Sequence, residues 1–155
     1  MAVFFVIGFA LAFGLLLIFL VALTDRKKKT EKPAEAFEGP IPFWRSCLGL
    51  VDAMKLETVE HEERENQIDI IAKNPTPFTG GLLLIRGLLI PSKGIVGLPQ
   101  ILEFSNVVRE ERLMKGIFVT TGSFSPELGT LAELAPIEFI DGKKLGELRE
   151  KFHLY

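Results

Sequence analysis

At 155 residues the chain has room for one ordinary domain and an appendage. Hydrophobic residues make up 48% beside 25% charged residues, so the apolar excess must be concentrated rather than spread. A net charge of −2 excludes a strongly basic nucleic-acid-coating protein, and a single cysteine, Cys47, excludes an internal disulfide and fits a reducing compartment.

The apolar excess lies at the start. Residues 2–23 read AVFFVIGFALAFGLLLIFLVAL, without one charge. A helix of about 22 residues is roughly 33 Å long, which matches the hydrocarbon core of a bilayer. A cleaved signal peptide would need a basic segment before a shorter apolar run. Here the basic run Arg26-Lys27-Lys28-Lys29 follows the apolar stretch. The expectation is a transmembrane anchor over residues 1–24, with the bilayer as its partner. The positive charges on its C-terminal side place the following domain in the cytoplasm. Residues 25–42 form a basic juxtamembrane segment and a proline-containing linker. Residues 43–155 form the domain.

The domain opens with an amphipathic pattern over residues 43–54, where Trp44, Cys47, Leu48, Val51 and Met54 recur at helical spacing. A short strand is expected over 56–60, a charged turn over 61–66 and a second strand over 67–73. Asn74-Pro75-Thr76-Pro77 and Gly80-Gly81 mark a hairpin-like connection. The run 82–90, LLLIRGLLI, has the near-continuous apolar character of a strand buried on both faces. A second helix is expected over 99–114, burying Ile101, Leu102, Val108 and Leu113, with Pro99 in its first turn. A buried strand over 117–121 follows, then a short helix capped by Ser125 with Pro126 at its first position. A last strand over 137–140, a turn at Asp141-Gly142 and a helix over 143–152 complete the order. Three strands in succession imply an antiparallel meander, and the later strand–helix alternation implies parallel pairing. The fold class is α/β, a mixed sheet flanked by helices.

Two stretches are distinctive: Gly116-Ile117-Phe118-Val119-Thr120-Thr121-Gly122-Ser123-Phe124-Ser125 and Pro136-Ile137-Glu138-Phe139-Ile140-Asp141-Gly142-Lys143-Lys144-Leu145. With the element order over residues 44–152, they resemble the Mrr-type (type IV) restriction endonuclease branch of the PD-(D/E)xK nuclease-like fold. The resemblance implies a restriction-endonuclease-like domain acting on DNA with Mg²⁺, held by carboxylates at the ends of adjacent strands beside a water-orienting lysine. It puts Asp69 in the place of the first acid. The next strand should then carry an acid or glutamine, one residue, and lysine, and this chain has Leu84-Ile85-Arg86 there.

Leucine cannot ligate a metal, and arginine is a poor water-activating base because it stays protonated. The expectation is therefore a degenerate site in which metal-dependent cleavage is weakened or lost. Asp69 is read either as a remaining metal ligand or as a charge where a strand meets solvent. Arg86, alone among apolar neighbours, needs a partner, and an Asp69–Arg86 ion pair in the former metal site is the favoured reading. A contact from Arg86 to the scissile phosphate is the alternative. Thr121, Gly122, Ser123 and Ser125 end a strand and open a helix, so they are read as a phosphate or DNA contact or as capping and turn formation. The glutamates around His61 form a solvated acidic turn, and Cys47 is a buried structural thiol. Lys and Arg in the domain are matched by nearby acids, as in Arg109-Glu110-Glu111-Arg112, which weighs against tight duplex binding. Beside the DNA-directed reading stands a second: a catalytically inactive, membrane-tethered module that binds a membrane or cytoplasmic protein.

Overall fold

The computed structural model describes residues 40–77, 80–91, 94–129 and 136–154. The expected membrane anchor, the basic run and most of the linker lie outside these residues. Among the described residues no helix is long and apolar enough to cross a membrane.

Helix α1, Pro40–Ala53, starts inside the stretch expected to be linker. Prolines at 40 and 42 fit there because the first turn of a helix leaves its N–H groups without intrahelical partners. Phe43, Trp44, Cys47, Leu50 and Val51 form its buried stripe, whereas Met54, expected on that stripe, is exposed past the helix end. Burial pushes the Cys47 thiol well up from its ordinary pKa, as befits a structural residue.

Strand β1 runs Glu57–Glu63 and absorbs half of the expected charged turn. As an edge strand exposed along its whole length, it can carry glutamates into solvent without breaking the ladder. Strand β2, Gln67–Lys73, has the expected bounds, and β3, Leu82–Leu88, ends two residues before the apolar run does. The two-residue β4, Ile95–Val96, leads into α2, Leu98–Glu110, which stops short of the expected 114 as Arg112 takes a left-handed conformation (φ 52°). Phe104 fills the α2 interface; Leu102, expected there, is 44% exposed and Leu113 is only half-buried.

Strand β5, Lys115–Thr120, is followed by β6, Ser123–Phe124, which pairs with β4 in a small parallel sheet that sequence periodicity did not reveal. After Ser125, where a short helix is expected, the described residues form a 3₁₀ turn, Pro126–Leu128, without a side-chain cap bond, and Gly129 behind it is helical. Strand β7, Ile137–Ile140, has the expected bounds. Asp141 is more than a turn residue: its carboxylate accepts from the Lys144 N–H at 2.8 Å and caps α3, Gly142–Phe152.

The main sheet has the order β1-β2-β3-β5-β7, antiparallel across β1, β2 and β3 and parallel from β3 onward. Among the described residues, this mixed sheet with helices α1, α2 and α3 fits the restriction-endonuclease-like fold. Strand alternation divides the core in two. Ile68, Ile70, Ala72, Ile85, Ile117 and Val119 point to α1 and α3. Leu84, Phe118 and Ile137 point to Ile101, Phe104 and Val108 of α2. The layers meet closely: a Cβ on Gly87 would stand 2.8 Å from the Cys47 Sγ, and one on Gly116 would stand 2.7 Å from the Phe104 ring.

Glu138 of β7 joins the parallel half to α3 by accepting from Lys115 Nζ at 2.7 Å and Lys144 Nζ at 3.2 Å. The Lys115 ammonium, helped by Lys144, holds the Glu138 carboxyl below the ordinary carboxylate range against a partial burial that acts the other way. With the folded-state pKa below the unfolded one, this contribution is present above the unfolded value and is lost as pH falls through the folded value. Glu138→Gln should cost less than about 1 kcal/mol at neutral pH, because the pair is half-exposed. The deficit relative to wild type should shrink on acidification below the ordinary carboxylate pKa, as urea unfolding at a series of pH values would read.

Candidate functional site

Strand β3 is apolar on both faces apart from Arg86. The β2–β3 register sets Asp69 directly opposite Arg86, and alternation turns both toward the α2 side. There the guanidinium meets the carboxylate fork to fork: Arg86 Nε donates to Asp69 Oδ1 at 2.8 Å and Nη2 to Oδ2 at 2.9 Å. Gln67, two residues back on the same face, donates from Nε2 to Oδ2 at 3.0 Å. From α2, Glu103 accepts from Arg86 Nη1 at 3.3 Å, and the Phe104 ring lies under the guanidinium, 5.4 Å from centroid to Cζ. The Arg86 side chain is 8% exposed, that of Asp69 18% and that of Glu103 71%.

Charge-assisted, bidentate and largely dry, this pair belongs to the stronger class of hydrogen-bonded ion pairs. Leu84, one pleat along on the same face, is buried in the α2 core. Of the expected residues the structure thus brings Asp69 and Arg86 together and leaves position 84 with apolar packing alone.

Register also places Glu57, Glu60 and Glu62 of β1 on the Asp69 face. At the β1–β2 turn the exposed Arg64 forks onto Glu62 at 3.1 and 3.2 Å, and this guanidinium holds the Glu62 carboxyl below its ordinary range. The rim of the site is therefore more acidic than basic.

The turn after β5 has a structural role. Thr121 Oγ1 accepts from the Ile90 N–H at 2.9 Å and donates to the Ile90 carbonyl at 2.7 Å. The Gly122 N–H donates to Thr120 Oγ1, and those of Ser123 and Ser125 to the carbonyls of Gly94 and Val96. All three N–H groups are thus committed within the protein, those of Ser123 and Ser125 joining the turn to the β3–β4 connection and to β4. A Cβ on Gly122 would run into the Gly94 carbonyl and Ile90, so this junction has space only for glycine.

The sequence reading missed Gln67, Glu103 and Phe104. Period-two alternation carries the signal for Gln67, since 67 and 69 share a face. The spacing of Ile101, Phe104 and Val108 carries the signal for Phe104, and Glu103 adjoins it.

The mixed sheet thus carries on its α2 face an aspartate–arginine pair that joins two neighbouring strands. The restriction endonuclease family model for the Mrr catalytic domain matches residues 40–149, and the chain belongs to that family. Among solved structures, the MspJI restriction endonuclease in complex with a 27-mer oligonucleotide is similar at 16% identity and a TM-score of 0.50, over 87% of this chain. The DNA modification-dependent restriction endonuclease AspBHI is similar at 12% identity and a TM-score of 0.49, over 81% of this chain. The match takes in 31% of the first structure's chain and 33% of the second's, so this chain corresponds to about a third of each. No curated protein matches.

Restriction-endonuclease-like domains typically use divalent metal ions. The residues here do not fit one. Asp69 accepts three hydrogen bonds, position 84 offers no oxygen, and among the described residues no group of three His, Cys, Asp or Glu side chains could hold a metal.

Removing one member of a largely buried pair strands the other. Arg86→Leu should destabilise the fold by roughly 2–3 kcal/mol, toward the low end because Asp69 keeps some exposure. Adding Asp69→Leu should recover part of that loss. Urea unfolding of the two single variants and the double would show a coupled cycle; simple additivity would contradict the assignment.

Proposed function

We propose that the chain is a membrane-tethered, DNA-directed member of the restriction endonuclease family in which metal-dependent cleavage has been lost. The observation that carries the reading is the Asp69–Arg86 fork with Leu84 buried beside it, in a domain that the family model covers almost end to end. DNA is the inferred partner because the family consists of restriction endonucleases. Mg²⁺ has no role in this reading, since Asp69 serves as a structural partner of Arg86 and not as a metal ligand. Thr121, Gly122, Ser123 and Ser125 act as a structural junction. The tether is inferred from the uncharged stretch 2–23 and the Arg26–Lys29 cluster, which together support a single-pass anchor with a cytoplasmic domain.

A specific observation favours a second reading, an interaction module for a protein partner. Strand β1 is an open edge, and three of its glutamates share a face with Asp69. That charge repels a phosphate backbone.

The test is a titration of the full chain, in detergent, with labelled duplex DNA at low and moderate salt, with Mg²⁺ or Mn²⁺ present, following binding and nicking together. Salt-sensitive binding without nicking is the expected result. Nicking that disappears in Asp69→Ala would contradict the loss of cleavage, and absence of binding at low salt would move the assignment to the protein-interaction reading.

A further inference from the structure

The family's site is built around a cation, and this site already contains one. Arg86 forks onto both Asp69 oxygens, stacks on Phe104 and reaches Glu103 on α2, so one guanidinium joins β2, β3 and α2. A divalent metal among family carboxylates would likewise crosslink the elements that supply its ligands, but by coordination.

We infer that Arg86 is a resident cation standing in the family's metal position, and that it, together with Leu84, makes the domain independent of divalent metal for both folding and occupancy of the site. The inference rests on the family assignment and deepens the proposed loss of cleavage. It does not require DNA to be the partner.

Three physical points support it. Arginine carries its charge on the chain itself, so filling the site requires no free ion. A metal bound at Asp69 would face the guanidinium as a like charge. Displacing the guanidinium would push it against Phe104 and Leu84, where an unpaired charge is costly. Position 84 is the second determinant. Residues 84 and 86 lie on one face of β3, about 7 Å apart along the strand. An oxygen ligand at 84 would therefore stand on the Asp69 side of the sheet, and the buried leucine withholds it.

The swap Leu84→Glu/Arg86→Lys places a second carboxylate on that face and replaces the fork with a compact ammonium. Thermal unfolding of the full chain in detergent, with chelator, Mg²⁺ or Mn²⁺ and with no DNA present, reads the consequence. Wild type should unfold at one temperature in all three conditions. The swapped variant should unfold at a lower temperature in chelator and gain roughly 10 °C at metal concentrations a hundredfold above its dissociation constant. The family's glutamine alternative, Leu84→Gln/Arg86→Lys, serves if the added carboxylate prevents folding.

A metal-induced rise in wild type that Asp69→Asn removes would overturn the inference. So would a folded swap variant that ignores Mn²⁺. Should neither swap fold, the comparison of wild type with Asp69→Asn still decides, because a metal-indifferent wild type supports the resident cation and a responsive one refutes it. Failure to bind DNA would count against the proposed function and leave these outcomes unchanged.

Discussion

A charge in the interior must have its partner in place before the surrounding strands can close on it. Arg86 imposes that constraint here. It is the one charged residue of β3, a strand covered on both faces, and its partner Asp69 lies on the adjacent antiparallel strand. A slip of one residue between β2 and β3 would turn Asp69 into the α1 core and bring Ile68 and Ile70 out of it. The pair therefore fixes the register, and the register allots each side chain of β2 to one core or the other. Helix α2 then seats on the sheet with Phe104 under the guanidinium and Glu103 beside it.

The same residues bear on function. The chain belongs to the restriction endonuclease family, and the proposed loss of cleavage rests on three positions. Leu84 packs in the α2 core, and Arg86 and Asp69 pair with each other. Fold alone does not determine function. The α/β domain has an acidic edge strand at β1, and the proposed membrane tether precedes that strand in the chain. The turn from Thr121 to Ser125, distinctive in sequence, is explained by its bonds to the β3–β4 connection and β4, and by the absence of space for a side chain at Gly122.

Much of this was legible in the sequence, for physical reasons. The bounds of β2 and β7 follow from short runs with β-branched residues flanked by clear breakers. The Asp69–Arg86 pair was legible because a lone arginine in LLLIRGLLI requires a partner, and the nearest acid on a neighbouring strand is Asp69. Strand β1 was cut short because glutamates have low strand propensity, yet an edge strand tolerates them. Helix α2 was drawn too long because Leu113 continues the apolar spacing beyond the point where Arg112 turns the backbone left-handed. The β4–β6 pairing is two residues long, too short for any periodicity to register. Glu103 depends on which way α2 crosses the sheet, a tertiary fact that no local pattern carries.

The central claim is that a guanidinium holds the position at which the family uses a metal, and the Arg86 side chain can report on this directly. In a ¹⁵N-resolved NMR spectrum the Arg86 Nε–H, assigned through its loss in Arg86→Lys, should be slow to exchange with water because its hydrogen bond to Asp69 is largely buried. Added Mn²⁺, whose unpaired electrons broaden nearby resonances, should leave that signal sharp. Selective broadening of Arg86 Nε–H and of the Asp69 amide at low Mn²⁺, reversed by chelator, would place a metal at Asp69 and contradict the account.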